Sequence, residues 1–254
     1  MKNYSEFVLY LNSIRPNPGA KINQNLSGEQ DLIEYIYNIK LKRGNLISTT
    51  IGGSVMKLSL MKLAVLSFVL FLIGCGGRNF VRVQDDALVL NQTTKEQITS
   101  RLGKPFRESV VKKNDLQVEV VIYAYSSYGG VPDASDAIPE RGQAFYFFNG
   151  NLVGYEFASS WKQESTNFDA GKASQIKKGV TTRSDVVRLL GNPGGKYIYP
   201  VIPNENEEAV NYIYIRKRKA GSAEQLTTDT KSLVVTFDKQ DILTNVELKE
   251  LTSK

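Results

Sequence analysis

The chain has 254 residues, 41% apolar and 23% charged, a balance sufficient to bury one or two cores. Its formal charge of +6 is concentrated before residue 76; residues 76–254 hold 24 Lys and Arg against 22 Asp and Glu, which excludes a general electrostatic footprint for nucleic acid. With no histidine and a single cysteine, intramolecular disulfides, Cys/His zinc sites and any nucleophile that needs a His base are excluded as well.

Residues 1–55 carry no leader of their own and are poorly patterned: 32–41 has helical spacing, and Arg15-Pro16-Asn17-Pro18-Gly19 reads as a loop. The expectation is a start-site over-call or a disordered extension, with translation from Met56 or Met61. From Met56 the pattern sharpens. Lys57 and Lys62 give a basic start, residues 63–73 are apolar apart from Ser67, and Gly74 precedes Cys75. That is signal-peptide anatomy, and the run is shorter than the roughly 20 residues a spanning helix needs. Leu72-Ile73-Gly74-Cys75 looks like a bacterial lipobox. Residues 56–74 are therefore expected to be a lipoprotein signal peptide cut between Gly74 and Cys75. Cys75 is expected to carry diacylglycerol and an N-acyl chain such as palmitate, and 75–79 to form the tether. No other cofactor and no metal is expected.

The remainder repeats itself. Residues 93–105, ending Leu102-Gly103-Lys104-Pro105, align with 181–193, ending Leu190-Gly191-Asn192-Pro193, at an offset of 88 that also pairs Phe80 with Phe168 and Leu88 with Ile176. Tyr123 and Tyr125 match Tyr212 and Tyr214 at 89, and Phe147 and Leu152 match Phe237 and Ile242 at 90. A nearly constant shift marks two homologous units. In each, Thr94 or Thr182 suits an N-cap, with Gln97 or Asp185 placed to complete a capping box. Ile98 and Leu102, like Val186 and Leu190, share a helical face. Gly103 and Gly191 suit the helix end, and Pro105 and Pro193 forbid continuation. A shorter helical turn is expected near 85–90 and 171–177. Strands are expected at 118–126 and 209–218, and hairpins at 144–148/152–157 and 232–237/242–248, the first turning at Asn149-Gly150. Polar connections are expected at 129–143 and 220–231. The predicted fold is α+β: two tandem units, 80–158 and 168–254, each of two short helices on a three- or four-stranded antiparallel sheet, joined by a linker at 159–167.

A helix ending Leu-Gly-x-Pro, an aromatic strand and a Phe-turn-aliphatic hairpin behind a lipobox resemble the SmpA/OmlA (BamE-like) outer-membrane lipoproteins. Lys178-Gly179-Val180-Thr181-Thr182, Asp185-Val186 and Leu190-Gly191-Asn192-Pro193 match best; the first copy has Asn91-Gln92 where Lys-Gly is typical. The paired units are also similar to the double-repeat β-lactamase inhibitory proteins. The first resemblance implies an accessory role in outer-membrane assembly, with Gly76 rather than Asp after the lipidated Cys favouring the outer membrane over the inner. It transfers no binding residues, and the single-unit barrel-machine subunit differs from a chain with two.

Candidate sites are few. Tyr123, Tyr125, Tyr212 and Tyr214 alternate with aliphatics and line one face of their strands, either covering the sheet against the helices or forming an exposed binding row. Arg216-Lys217-Arg218-Lys219 could meet anionic headgroups or an acidic partner, or could simply end a solvated strand. Trp161 is expected to wedge between the units, and Asp133, Asp136 and Glu140 to lie in a solvated loop too sparse for calcium. No spacing nominates a catalytic carboxylate pair. The sequence reads as a non-enzymatic, lipid-anchored envelope protein of the periplasmic side of the outer membrane, binding envelope proteins through Tyr123, Tyr125, Tyr212, Tyr214, Arg216, Lys217 and Arg218. A tethered inhibitor of an envelope hydrolase is the competing reading.

Overall fold

The computed structural model describes Phe7, Leu11, Ile14 and residues 77–219 and 226–253. Gly74, Cys75, the leader at 56–74 and the segment at 32–41 lie outside the described residues. The strands are β1 (Arg107–Lys113), β2 (Leu116–Ser126), β3 (Ala137–Ile138), β4 (Glu140–Phe148), β5 (Asn151–Ser159), β6 (Gly195–Tyr197), β7 (Glu208–Lys219), β8 (Leu226–Phe237) and β9 (Leu243–Ser253). Among the described residues from 77 on, the helices are α1 (Lys95–Leu102) and α2 (Arg183–Leu190), each preceded by a short 3-10 segment, Asp85–Ala87 and Ala170–Gln175; Phe7 and Leu11 are also in helical backbone. The class is α+β with antiparallel strand pairing, as expected.

The helix boundaries follow from their caps. Thr94 accepts a hydrogen bond from Gln97 N at 3.3 Å while the Gln97 side chain accepts from Thr94 N at 2.9 Å. Thr182 and Asp185 exchange the same pair of bonds at 3.2 and 3.1 Å. These are reciprocal capping boxes. Both helices stop at a glycine with positive φ, 75° at Gly103 and 86° at Gly191. The β4–β5 turn places Asn149 and Gly150 at φ 51° and 81°, the two positive values that a two-residue hairpin loop demands.

The sheet differs from expectation. The strands form one nine-stranded sheet, ordered β1-β2-β4-β5-β6-β7-β8-β9 with β3 on β7, rather than one sheet per unit. The seam is β6, which pairs with β5 on one side and β7 on the other. Gly194 and Gly195 make it: a Cβ at either would sit 2.5 Å from the Phe157 carbonyl oxygen or 2.0 Å from that of Tyr155. Thr166, within the segment expected to be a linker, adds a 2.6 Å bond from its Oγ1 to the Ile213 carbonyl. The expected connection at 129–143 likewise contains β3 and the start of β4, and part of 220–231 is β8.

Both faces of the sheet are covered. On the first, Phe80, Leu88 and Ile98 pack on Val121, Tyr123, Phe145 and Phe147, and Phe168 and Val186 pack on Val210, Tyr212, Tyr214, Leu233 and Val235. On the second, Val118, Val120, Ile122, Ala124, Ala144, Ile213 and Ile215 form a core with Phe7, Leu11 and Ile14. The segment expected to be absent from the working protein thus supplies three side chains at 0–1% exposure. Burying each contributes about 1.5–3 kcal/mol.

Candidate protein-binding surfaces

The tyrosine row belongs to the first face. Tyr123, Tyr212 and Tyr214 are 3–5% exposed. Tyr123 OH donates to the Gly103 carbonyl at 2.8 Å, and Tyr212 OH to that of Gly191 at 2.9 Å. Each ties an aromatic strand to the end of the helix above it, and burial pushes both phenols up to about 12. Tyr214 OH donates to Asp133 at 3.0 Å. Tyr125, half-buried, stacks on Trp161 with ring centroids 6.0 Å apart and an interplanar angle of 13°. Of the two alternatives, Tyr123, Tyr212 and Tyr214 take the one in which tyrosines cover the sheet and are not an exposed row, whereas Tyr125 is only half-buried.

The basic run is corrected too. Arg216 pairs with Asp136, and Arg218 with Asp229 at 3.0 Å. Lys219 lies 5.2 Å from the centre of the Tyr128 ring. Lys217 is 1% exposed and pairs with a fully buried Glu140 at 2.8 Å. The strand places 216 and 218 on one face and 217 on the other, so four consecutive cations are no patch. Asp133, Asp136 and Glu140 are tie points between the halves rather than a solvated loop. Trp161, expected between the units, instead packs on Tyr125, Gly130 and the Arg141 guanidinium, all from the first half.

The second face holds polar chemistry that composition and spacing do not reveal. Glu156, at 0% exposure, accepts hydrogen bonds from both Tyr146 OH and Tyr197 OH. Lys217 Nζ donates to Glu140 Oε2 at 2.8 Å, to the Leu11 carbonyl at 3.1 Å and to the Ile14 carbonyl at 2.6 Å. These three bonds use every proton of the ammonium. Burial raises the Glu140 carboxyl above its ordinary range, with Lys217 pulling the other way. The traceable signal was the period-two row Glu140, Gly142, Ala144, Tyr146, a face of small residues closed by an acid.

On the first face, an open groove of about 840 Å³ runs between Arg82 and Asp85 of one half and Phe168, Arg183, Leu190 and Tyr212 of the other. Among the described residues no group of His, Cys, Asp and Glu is placed to hold a metal ion, and no helix is long and apolar enough to cross a membrane.

No curated protein matches the chain. Among solved structures, a Streptococcus mutans protein provisionally assigned as a beta-lactamase inhibitor protein is similar over 62% of this chain and 82% of its own, at 14% identity and a TM-score of 0.32. Residues 167–247, which contain α2, β6, β7, β8 and the start of β9, match the model of the outer membrane protein assembly factor BamE domain, and this part of the chain is therefore BamE-like.

Proposed function

We propose that the protein is a non-enzymatic scaffold or accessory factor in outer-membrane protein assembly or envelope integrity, acting by binding other proteins. The observation that carries this reading is the BamE-domain match over residues 167–247. The first half supports reading it as a second copy, because it is built on the same contacts. Leu152 N donates to the Thr93 carbonyl at 2.8 Å where Leu243 N donates to that of Thr181 at 2.9 Å. Tyr123 bonds the end of α1 as Tyr212 bonds the end of α2. In this reading 80–158 and 168–254 are tandem BamE-like units sharing one sheet. The chain is tethered by lipid on Cys75 to the periplasmic face of the outer membrane, and its partners are envelope proteins.

In vivo crosslinking followed by affinity purification tests the proposal. Recovery of outer-membrane barrel-assembly proteins is expected. Recovery of a single envelope hydrolase would replace the reading with that of a tethered inhibitor.

A further inference from the structure

The sheet ends on a strand whose charges match those of its own copy. β9 closes the strand order, and its 11 residues are bonded to β8 on one side only. At its start the outer edge is covered: Leu243 N donates to the Thr181 carbonyl at 2.9 Å, and the Leu243 carbonyl accepts from Gly179 N at 2.8 Å. From Asn245 onward, no backbone group among the described residues bonds to that edge. A long edge strand is a template for another chain, and natural proteins block it with proline, bulges or charge. Residues 245–253 hold no proline, and the irregularity of the β8–β9 pair precedes them, at Thr236 and Phe237. Charge remains, and its pattern selects a partner rather than forbidding one.

Two copies pairing edge to edge in antiparallel fashion are related by a two-fold axis perpendicular to the sheet. Each residue then lies opposite one on its own face, so the axis passes through a residue rather than between two. With the axis on Leu248, Glu247 lies opposite Lys249 of the partner subunit, and Lys249 opposite Glu247 of the partner subunit. Within one chain these two side chains already meet, Lys249 Nζ on Glu247 Oε2 at 3.2 Å. The paired copies therefore form a ring of four alternating charges. Leu248, 41% exposed, lies opposite its own copy. It pairs with Leu233, and Leu233 with Tyr212, so an apolar row of the first face runs through the axis. Among placements of residues 243–253, only this one sets opposite charges against each other. An axis on Glu247, Lys249 or Glu250 sets like charges directly opposite, which destabilises a strand pair. An axis on Val246 sets Lys249 against Leu243, whose edge is taken. The far edge of the sheet, β1, has no such solution: the axis that sets Glu108 against Lys112, on Val110, also sets Arg107 against Lys113.

We infer that the protein self-associates as a two-fold dimer through β9, one sheet continuing across two copies and centred on Leu248. The inference concerns a second copy and not the envelope partners proposed above, so either can fail alone.

Sedimentation velocity of the full chain in mild detergent tests it, with Glu247→Lys and Lys249→Glu as variants. Glu247 is exposed and Lys249 partly so, and circular dichroism confirms that both variants are folded. The parent forms a concentration-dependent dimer. Each variant alone sets like charges opposite at two points and dimerises at least about fivefold more weakly. An equal mixture of the two restores association to the parent's strength, because every facing pair is again of opposite sign. Should either variant misfold, Leu248→Lys takes its place; two ammonium groups at the axis abolish the dimer. A monomeric parent overturns the inference. So does a dimer that none of these substitutions weakens, or one that the mixture fails to restore.

Discussion

Lys217→Met removes the ammonium while keeping an unbranched side chain of similar length. Glu140 is then left fully buried without its cation, with its second oxygen already unpaired. Breaking a buried ion pair from one side costs about 3–5 kcal/mol, and the Leu11 and Ile14 carbonyls lose their partner as well. Replacing the pair together, with Glu140→Leu added, recovers most of the loss, because an apolar substitute for a whole buried pair is neutral or stabilising by about 1–4 kcal/mol. The pH dependence carries the sign. A carboxyl whose folded value lies above its unfolded one contributes stability that is fully present below the unfolded value and lost as pH rises through the folded one. Without Lys217 to oppose burial, Glu140 rises further. The variant therefore loses stability between pH 5 and pH 8 more steeply than the parent, by up to about 1.4 kcal/mol per pH unit for this one group. Urea unfolding of the full chain at both pH values, followed by near-ultraviolet circular dichroism, measures this. A cost below about 1 kcal/mol, the range of an exposed pair, with no recovery in the double variant, would refute the buried geometry.

Tyr212→Phe forfeits only the bond to the Gly191 carbonyl and should cost about 0.5–1.5 kcal/mol, whereas Tyr212→Ala empties a core site and should cost about 3–5 kcal/mol; denaturant midpoints separate them, and stability retained in both would return the tyrosines to the surface. Thr94→Ala and Thr182→Ala each remove one half of a capping box and should each cost about 1 kcal/mol, nearly additively, because the helices are separate; calorimetry of the double variant checks this. Cys75→Ala should leave the protein unprocessed or mislocalised on membrane fractionation, and normal outer-membrane fractionation would remove the lipid anchor from the account.

What was legible in the sequence was local. Thr94 with Gln97, Thr182 with Asp185, the glycines that stop both helices and the Asn149-Gly150 turn each act within a few residues, so their spacing predicts their geometry. The continuity of the sheet was not legible. It depends on a three-residue strand at Gly195–Tyr197 and on how closely Gly194 and Gly195 approach another strand. Glu140 and Lys217 are 77 residues apart, and nothing near either one signals the other. Lys217 reads as part of a basic run because neighbours in sequence are visible, while the alternation of strand faces that buries it is decided by pairing. The i, i+4, i+7 spacing of Phe7, Leu11 and Ile14 is present, but three residues in a weakly patterned segment gain meaning only once the small-residue floor opposite them is known.

The most direct test of the account is the N-terminus of the protein isolated from its native membranes, read by intact mass and peptide mapping. A lipidated Cys75 is the expected N-terminus. Tryptic peptides from residues 22–40 in the mature, membrane-bound protein would contradict it, because the segment would then be retained.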